Sequence, residues 1–285
     1  MKPEVTNIAF ESNGFNDLTR GKDGYFLYNR NDYYVGGALA KYGEFSGLEM
    51  DLFRVIVAPG SLIIEVGANL GAHTVGLAKI AGKHGRVIAF EPQRLTFQTL
   101  CANIALNSIE NVECHWAAVG QTSGVVTVPE VSPHEKFNFG GVTIIGATGG
   151  ISVPCCTLDS LSALSSLNFL KIDVEGMEAD VVRGASNLLK QFKPTIYVEN
   201  DRLAKSEELI ELIAGFGYRL FWHLPPLYNP NNFRGDAENL YGDTVSCNML
   251  CVHRDMRVRV EGIPEILDSA HHPVKSVTYT KGLSK

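Results

Sequence analysis

Short apolar runs recur along this chain from residue 61, each followed by a polar or glycine-rich break and then by a segment of helical periodicity. The runs predict strands near 61–66, 86–90, 112–116, 124–128, 151–156, 168–172, 194–199, 217–223 and 245–252. The longer segments predict helices near 70–81, 93–107, 158–165, 177–190 and 203–214. Strands alternating with helices give an α/β fold whose parallel sheet carries helices on both faces. No helix separates the last two strands, so they are expected to pair antiparallel across the connection 224–244. Before residue 61, Tyr25-Phe26-Leu27-Tyr28 and Tyr33-Tyr34-Val35-Gly36-Gly37 suggest a small hairpin, and residues 46–57 a helix entering the core. Residues 129–150 are glycine-rich and read as a loop or lid between strands. The expected organisation is an N-terminal hairpin and helix segment covering a pocket (1–58), a main domain (59–254) and a polar tail of unassigned structure (255–285).

Composition narrows the class. With 285 residues, the chain is long enough to bury a large core, and 45% hydrophobic residues are ordinary for a globular protein. A net charge of −6 without a basic stripe argues against a nucleic-acid partner. No apolar run is long enough to span a membrane, and residues 1–14 lack the apolar core of a signal peptide. Six cysteines with no C-x-x-C pair predict reduced thiols rather than a disulfide framework or a zinc knuckle. The expected compartment is the cytoplasm.

Glu65-Val66-Gly67-Ala68-Asn69-Leu70-Gly71 carries the first chemical signal. It joins a buried strand to a helix, and Gly67 and Gly71 let backbone approach a ligand. A turn that binds nothing is the alternative reading. The context favours a ligand: Glu65 is costly to bury without a cation or donors, and Glu91, 26 residues on, is placed to accept two ribose hydroxyls. The spacing is G-x-x-x-G, not the G-x-G-x-x-G that seats a pyrophosphate. A nucleoside with an amino-acid tail and no phosphate, S-adenosylmethionine, fits better. Asn69, His73 and Thr74 are candidates for contacts to that tail, with His73 and Thr74 equally readable as ordinary residues of a first helical turn.

Lys171-Ile172-Asp173-Val174-Glu175-Gly176 carries the second signal. Open α/β sheets bind ligands beyond the carboxyl ends of their strands, which places Asp173 and Glu175 on the cofactor edge. Helix capping is the other reading for these acids. Glu199 and Asn200 reach the same edge, so Asp173, Glu199 and Asn200 form an alternative hard-oxygen metal set; metal independence is the preferred expectation. His223 ends a strand and is a candidate general base, or a polar strand cap.

These residues together resemble the FkbM family of S-adenosylmethionine-dependent methyltransferases. The matching pieces are residues 65–71 with Thr74, Phe90-Glu91-Pro92, Thr157-Leu158-Asp159-Ser160-Leu161, residues 170–178, Arg183-Gly184-Ala185 and residues 194–199, over about 25–252. The resemblance implies a Rossmann-like seven-stranded class I sheet with an antiparallel final strand. It implies O-methylation of a hydroxyl on a sugar, glycan or polyketide-like molecule. Glu65, Gly67, Ala68, Asn69 and Gly71, with Thr74, would hold the methionine part, Glu91 with Pro92 the ribose, and the segment at Ala117 the adenine. Asp173 and Glu175 would face donor and acceptor. Glu65 departs from the Asp that many relatives carry.

The expected reaction is an in-line methyl transfer with Asp173, Glu175 or His223 as base. The competing readings are a nicotinamide-dependent oxidoreductase, a non-catalytic nucleoside-binding module, and N- or nucleic-acid methylation. A homodimer is compatible with the aromatic N-terminal segment.

Overall fold

The computed structural model describes residues 14–161 and 164–273. The readings made on residues 1–13, the end of the predicted helix 158–165 and the end of the tail lie partly outside the described residues. The chain opens with a hairpin, β1 (Asn16–Arg20) and β2 (Tyr25–Asn29), paired antiparallel. Tyr33-Tyr34-Val35-Gly36-Gly37 does not extend this hairpin but leads into helix α1 (Val35–Tyr42). Asp32 explains the difference, because its carboxylate accepts hydrogen bonds from the amides of Tyr34 at 3.0 Å and Gly36 at 3.1 Å. Helix α2 (Gly47–Ile56) follows.

The expected alternation comes next. It runs β3 (Leu62–Val66), α3 (Ala72–Ala81), β4 (Arg86–Phe90), α4 (Arg94–Leu106) and β5 (Val112–His115). Three strands depart from it: β6 (Ala118–Val119), β7 (Gly124–Val128) and β8 (Ile151–Cys156) form a separate small sheet in the order β6-β8-β7. The predicted helix near 158–165 is a short 3₁₀ turn at Leu158–Ser160 within the described residues. Strand β9 (Phe169–Ile172) re-enters the main sheet. The predicted helix 177–190 is two helices, α5 (Glu178–Arg183) and α6 (Ser186–Phe192). The break at Gly184 lets the Asp159 carboxylate accept hydrogen bonds from the first-turn amides of Asn187 and Leu188 at 2.9–3.1 Å. A Cβ at Gly184 would also lie 2.1 Å from the Gly120 carbonyl oxygen. Strand β10 (Thr195–Glu199), α7 (Leu203–Gly215), β11 (Tyr218–His223) and β12 (Asn248–His253) complete the fold.

The main sheet has seven strands in the order β11-β12-β10-β9-β3-β4-β5, and β12 runs antiparallel to both its neighbours. This is the Rossmann-like class I methyltransferase sheet. Period-two alternation divides its side chains between two helical layers. Leu62, Ile64 and Val66 pack with Val181, Leu189 and Ile210 of α5, α6 and α7. Ile63 packs on the other face with Phe53 of α2 and Leu77 of α3. The chain leaves β3 toward β4 and β5 on one side, while β9 and β10 lie on the other. A crevice opens at such a switch point, outside the carboxyl ends of the strands. No helix among the described residues is long and apolar enough to cross a membrane.

Candidate functional site

A cavity of about 550 Å³ lies at that switch point. The turns after β3, β4, β9 and β10 form its floor. Tyr33, Tyr34, Phe45 and Ser46 from the N-terminal segment, Gly140 and Gly141 from the 129–150 loop, and residues 243–247 wall it. The loop is fastened in place: the Phe137 amide donates to the Asn31 carbonyl at 3.0 Å, and Gln93 Nε2 donates to the Phe139 carbonyl at 2.7 Å.

The floor begins with a charged row inside an apolar sheet. Parallel register places Glu65 of β3 opposite Lys171 of β9, and Lys171 opposite Tyr197 of β10. Both charged residues occupy the face covered by α2 and α3, which adds Glu49 from α2. Glu65, Lys171 and Glu49 are all buried and all line the cavity. Glu65 accepts a 2.6 Å hydrogen bond from the Thr74 hydroxyl, and its other oxygen is 3.8 Å from Lys171 Nζ. Lys171 Nζ also donates to Asp173 Oδ2 at 3.0 Å. Burial opposes the Lys171 charge, but Asp173, Glu65 and Glu49 more than offset it and hold its pKa above the usual lysine value. Burial raises Glu65 to about 7 although Lys171 and Thr74 work against it. The counter-cation that Glu65 requires is thus supplied by the chain itself.

Glu91, just past β4, is the second fixed acid. Its two oxygens accept hydrogen bonds from the amides of Asn69 at 2.9 Å and Gln93 at 2.8 Å, which ties the β3–α3 turn to the end of β4. Burial raises its pKa to about 7 against these bonds. The turn itself requires Gly67: its φ is +83°, and a Cβ there would lie 1.8 Å from the Asp173 carbonyl oxygen. Asn69 is also left-handed, at φ +51°, and its side chain lies beneath Gly140.

Asp173, Glu175 and Glu199 gather on the β9 and β10 side, each with one oxygen within 4.8 Å of the others'. Glu175 holds a left-handed φ of +54° and pairs with Arg202. Burial, then the neighbouring carboxylates, push both Glu175 and Glu199 upward.

The structure therefore brings Glu65, Gly67, Ala68, Asn69, Glu91, Asp173 and Glu175 into one cavity lining, together with His73 and Glu199. Several expected residues lie outside that lining. Gly71 starts α3 at φ +89°, where a Cβ would meet Leu100. Thr74 is fully buried against Glu65. The Pro92 carbonyl accepts from Trp116 Nε1 at 2.9 Å, and Ala117 packs toward the core. His223 Nδ1 is 2.8 Å from the Tyr197 hydroxyl, and burial lowers its pKa. Asn200 turns inward to Ser206 Oγ at 3.0 Å, so Glu175 takes its place in the acid cluster. Sequence reasoning passed over Lys171 and Glu49. A usable signal existed for Lys171: Leu62–Val66 and Phe169–Ile172 are buried strands with one charge each, of opposite sign.

A crevice at the switch point of a seven-stranded sheet with β12 reversed defines an open, doubly wound α/β architecture. The methyltransferase FkbM domain model matches residues 65–220, and the chain belongs to that family. Methyltransferase 1 of Beauveria bassiana is 26% identical over 145 residues, covering 44% of this chain and 58% of its own length. The hexuronic acid methyltransferase AglP of Haloferax volcanii is 26% identical over 148 residues, covering 50% and 58%. The chain thus spans somewhat over half the length of these curated relatives. Among solved structures, an FkbM methyltransferase from Methylobacillus flagellatus superposes with a TM-score of 0.45 at 16% identity, covering 71% of this chain and 50% of that one.

Proposed function

We propose that this protein is an S-adenosylmethionine-dependent O-methyltransferase acting on a hydroxyl of a sugar, glycan or polyketide-like small molecule. The observation that carries the reading is the cavity shared by the Gly67 turn, Glu91 and Asp173 in a chain of the FkbM family. The residues fit the donor. Each Glu91 oxygen spends one acceptor site on a backbone amide and keeps another for a ribose hydroxyl. Gly67 leaves open the space a Cβ would fill. Glu65 and Asn69 present polar groups for an amino-acid tail.

When bound, S-adenosylmethionine supplies an activated methyl group on a sulfonium. The protein's tasks are then to orient the acceptor, exclude water and take one proton. Asp173 is the proposed base. Its Oδ2 is held by Lys171, which leaves Oδ1 to receive the proton of an acceptor hydroxyl. Lys171 offsets the charge of Glu65 and Asp173 together. Tyr33 and Tyr34 with the 138–141 stretch cover the site, and the proposed role of the segment 1–58 is this cover. The name of the Haloferax relative supports a sugar-like acceptor.

The test is transfer of radiolabelled methyl from S-adenosylmethionine to a panel of sugar and polyketide hydroxyls. The reading expects Asp173→Asn to lose turnover by at least about 100-fold, the lower range for a general base, while still binding S-adenosylhomocysteine. Unchanged turnover would remove Asp173 from the reaction.

A further inference from the structure

The ionisable groups of the cavity wall are strongly one-sided. Among the described residues that line it, eight are carboxylates and Lys171 is the only lysine or arginine. His73 adds no charge, because burial and the nearby Lys171 hold its pKa well below the usual value. Lys171 is already engaged by Glu65 and Asp173. The excess concentrates at Asp173, Glu175 and Glu199.

The three acids keep unspent oxygens. Asp173 turns Oδ2 to Lys171, and Glu175 turns Oε2 to Arg202. Glu199 Oε2 is closed to solvent and has no hydrogen-bond partner. A shut-off carboxylate oxygen without a donor is costly, and either protonation or a positive group relieves it. The spacing also suits a cation. Three oxygens within 4.8 Å of one another are close enough to ligate one hard ion from neighbouring positions. They also match the acceptors around one ammonium, about 4.6 Å apart for hydrogen bonds of about 2.8 Å.

We infer that Asp173, Glu175 and Glu199 form a cation subsite beside the donor pocket, filled by a hard divalent ion or by an ammonium group of the acceptor. The acceptor part of this inference rests on the proposed methyl transfer; the cation part stands without it. Its consequence is selectivity. Where no metal fills it, an acceptor with a carboxylate at this position is repelled, and one with an amine is favoured over its neutral analogue.

The experiment has two arms, each on the full chain and on Glu199→Gln. Mn²⁺, Mg²⁺ and Ca²⁺ are titrated alone, with Mn²⁺ followed by electron paramagnetic resonance. Glucosamine, glucose and glucuronate are titrated in the presence of S-adenosylhomocysteine. A saturable divalent site weakened about 10-fold or more in Glu199→Gln assigns the subsite to a metal. A preference for glucosamine over glucose of about 10-fold, lost in the variant, assigns it to an ammonium. A change of 10-fold corresponds to about 1.4 kcal/mol. Neither response overturns the inference, and where no divalent site is found, glucuronate binding as tightly as glucose does so too. Thermal melts confirm folding, and Glu175→Gln repeats the test if Glu199→Gln does not fold. Cation binding without S-adenosylhomocysteine binding would sink the methyltransferase reading and keep the subsite; the reverse pattern would do the opposite.

Discussion

Gly67 and Asp173 meet so closely that the Asp173 carbonyl oxygen lies 1.8 Å from where a Cβ on residue 67 would sit. The contact joins the turn after β3 to the end of β9, and the Asp173 amide donates to the Val66 carbonyl at 3.0 Å beside it. Gly67→Ala therefore forces backbone apart in addition to straining φ. We expect a loss of about 3 kcal/mol or more, combining positive-φ strain with overpacking. Gly82→Ala is the control. Its φ is also positive, at +66° with ψ −176°, but nothing lies within 4 Å of the added Cβ, so it should cost the backbone strain alone, about 1–3 kcal/mol and less than Gly67→Ala. Denaturant unfolding of both variants checks this, and equal losses would contradict it.

Lys171 is the counter-ion of a buried group of acids, and its removal should be severe. Lys171→Met leaves Glu65 and Glu49 buried without their cation. The expected cost is about 3–5 kcal/mol at neutral pH, as for other broken buried pairs. The sign of its pH dependence follows from the acids. Protonation relieves the unpaired charges, so the deficit should shrink toward pH 5 and grow toward pH 8. Melting temperatures of both proteins across that range test it.

Glu91 makes a second pH prediction. Its folded pKa is raised to about 7 from an ordinary 4.5. A raised acid stabilises the fold relative to its charged form below its unfolded pKa, and that contribution is lost as pH climbs through 7. Glu91→Gln removes the titration and one amide acceptor. The variant's stability relative to the parent should therefore improve between pH 5 and pH 8, by on the order of 3 kcal/mol at most. A pH-independent difference in melting temperature would refute the assignment.

His223 and Asp173 can be separated by kinetics. His223 sits outside the cavity lining, against the Tyr197 hydroxyl. His223→Ala should retain turnover within about threefold, whereas Asp173→Asn should lose the roughly 10²–10⁴-fold typical of a base. Steady-state rates on one shared acceptor decide between them.

The main sheet was legible because its strands are apolar runs that end in chemistry: Glu65 after Leu62-Ile63-Ile64, Glu91 after Phe90, and Asp173 after Ile172. What the sequence hid depended on partners distant in the chain. Nothing local tells that the runs Gly124–Val128 and Ile151–Cys156 leave the main sheet for a small one of their own. The split at Gly184 depends on a cap from Asp159, and helix α1 on a cap from Asp32. Lys171 left one local trace, a lone charge in a buried strand. Its role exists only through the register that sets it against Glu65. His223 and Thr74 lie outside the cavity lining, a placement hidden from the sequence because residue type and strand position do not say which way a side chain points.

The most direct measurement is isothermal titration of S-adenosylmethionine and S-adenosylhomocysteine, with NAD alongside, into the protein and into Glu91→Ala. Both sulfur nucleosides should bind the parent, NAD should not, and Glu91→Ala should bind them at least about 10-fold more weakly, a loss of about 1.4 kcal/mol. Tight NAD binding, or no sulfur-nucleoside binding by a folded sample, would contradict it.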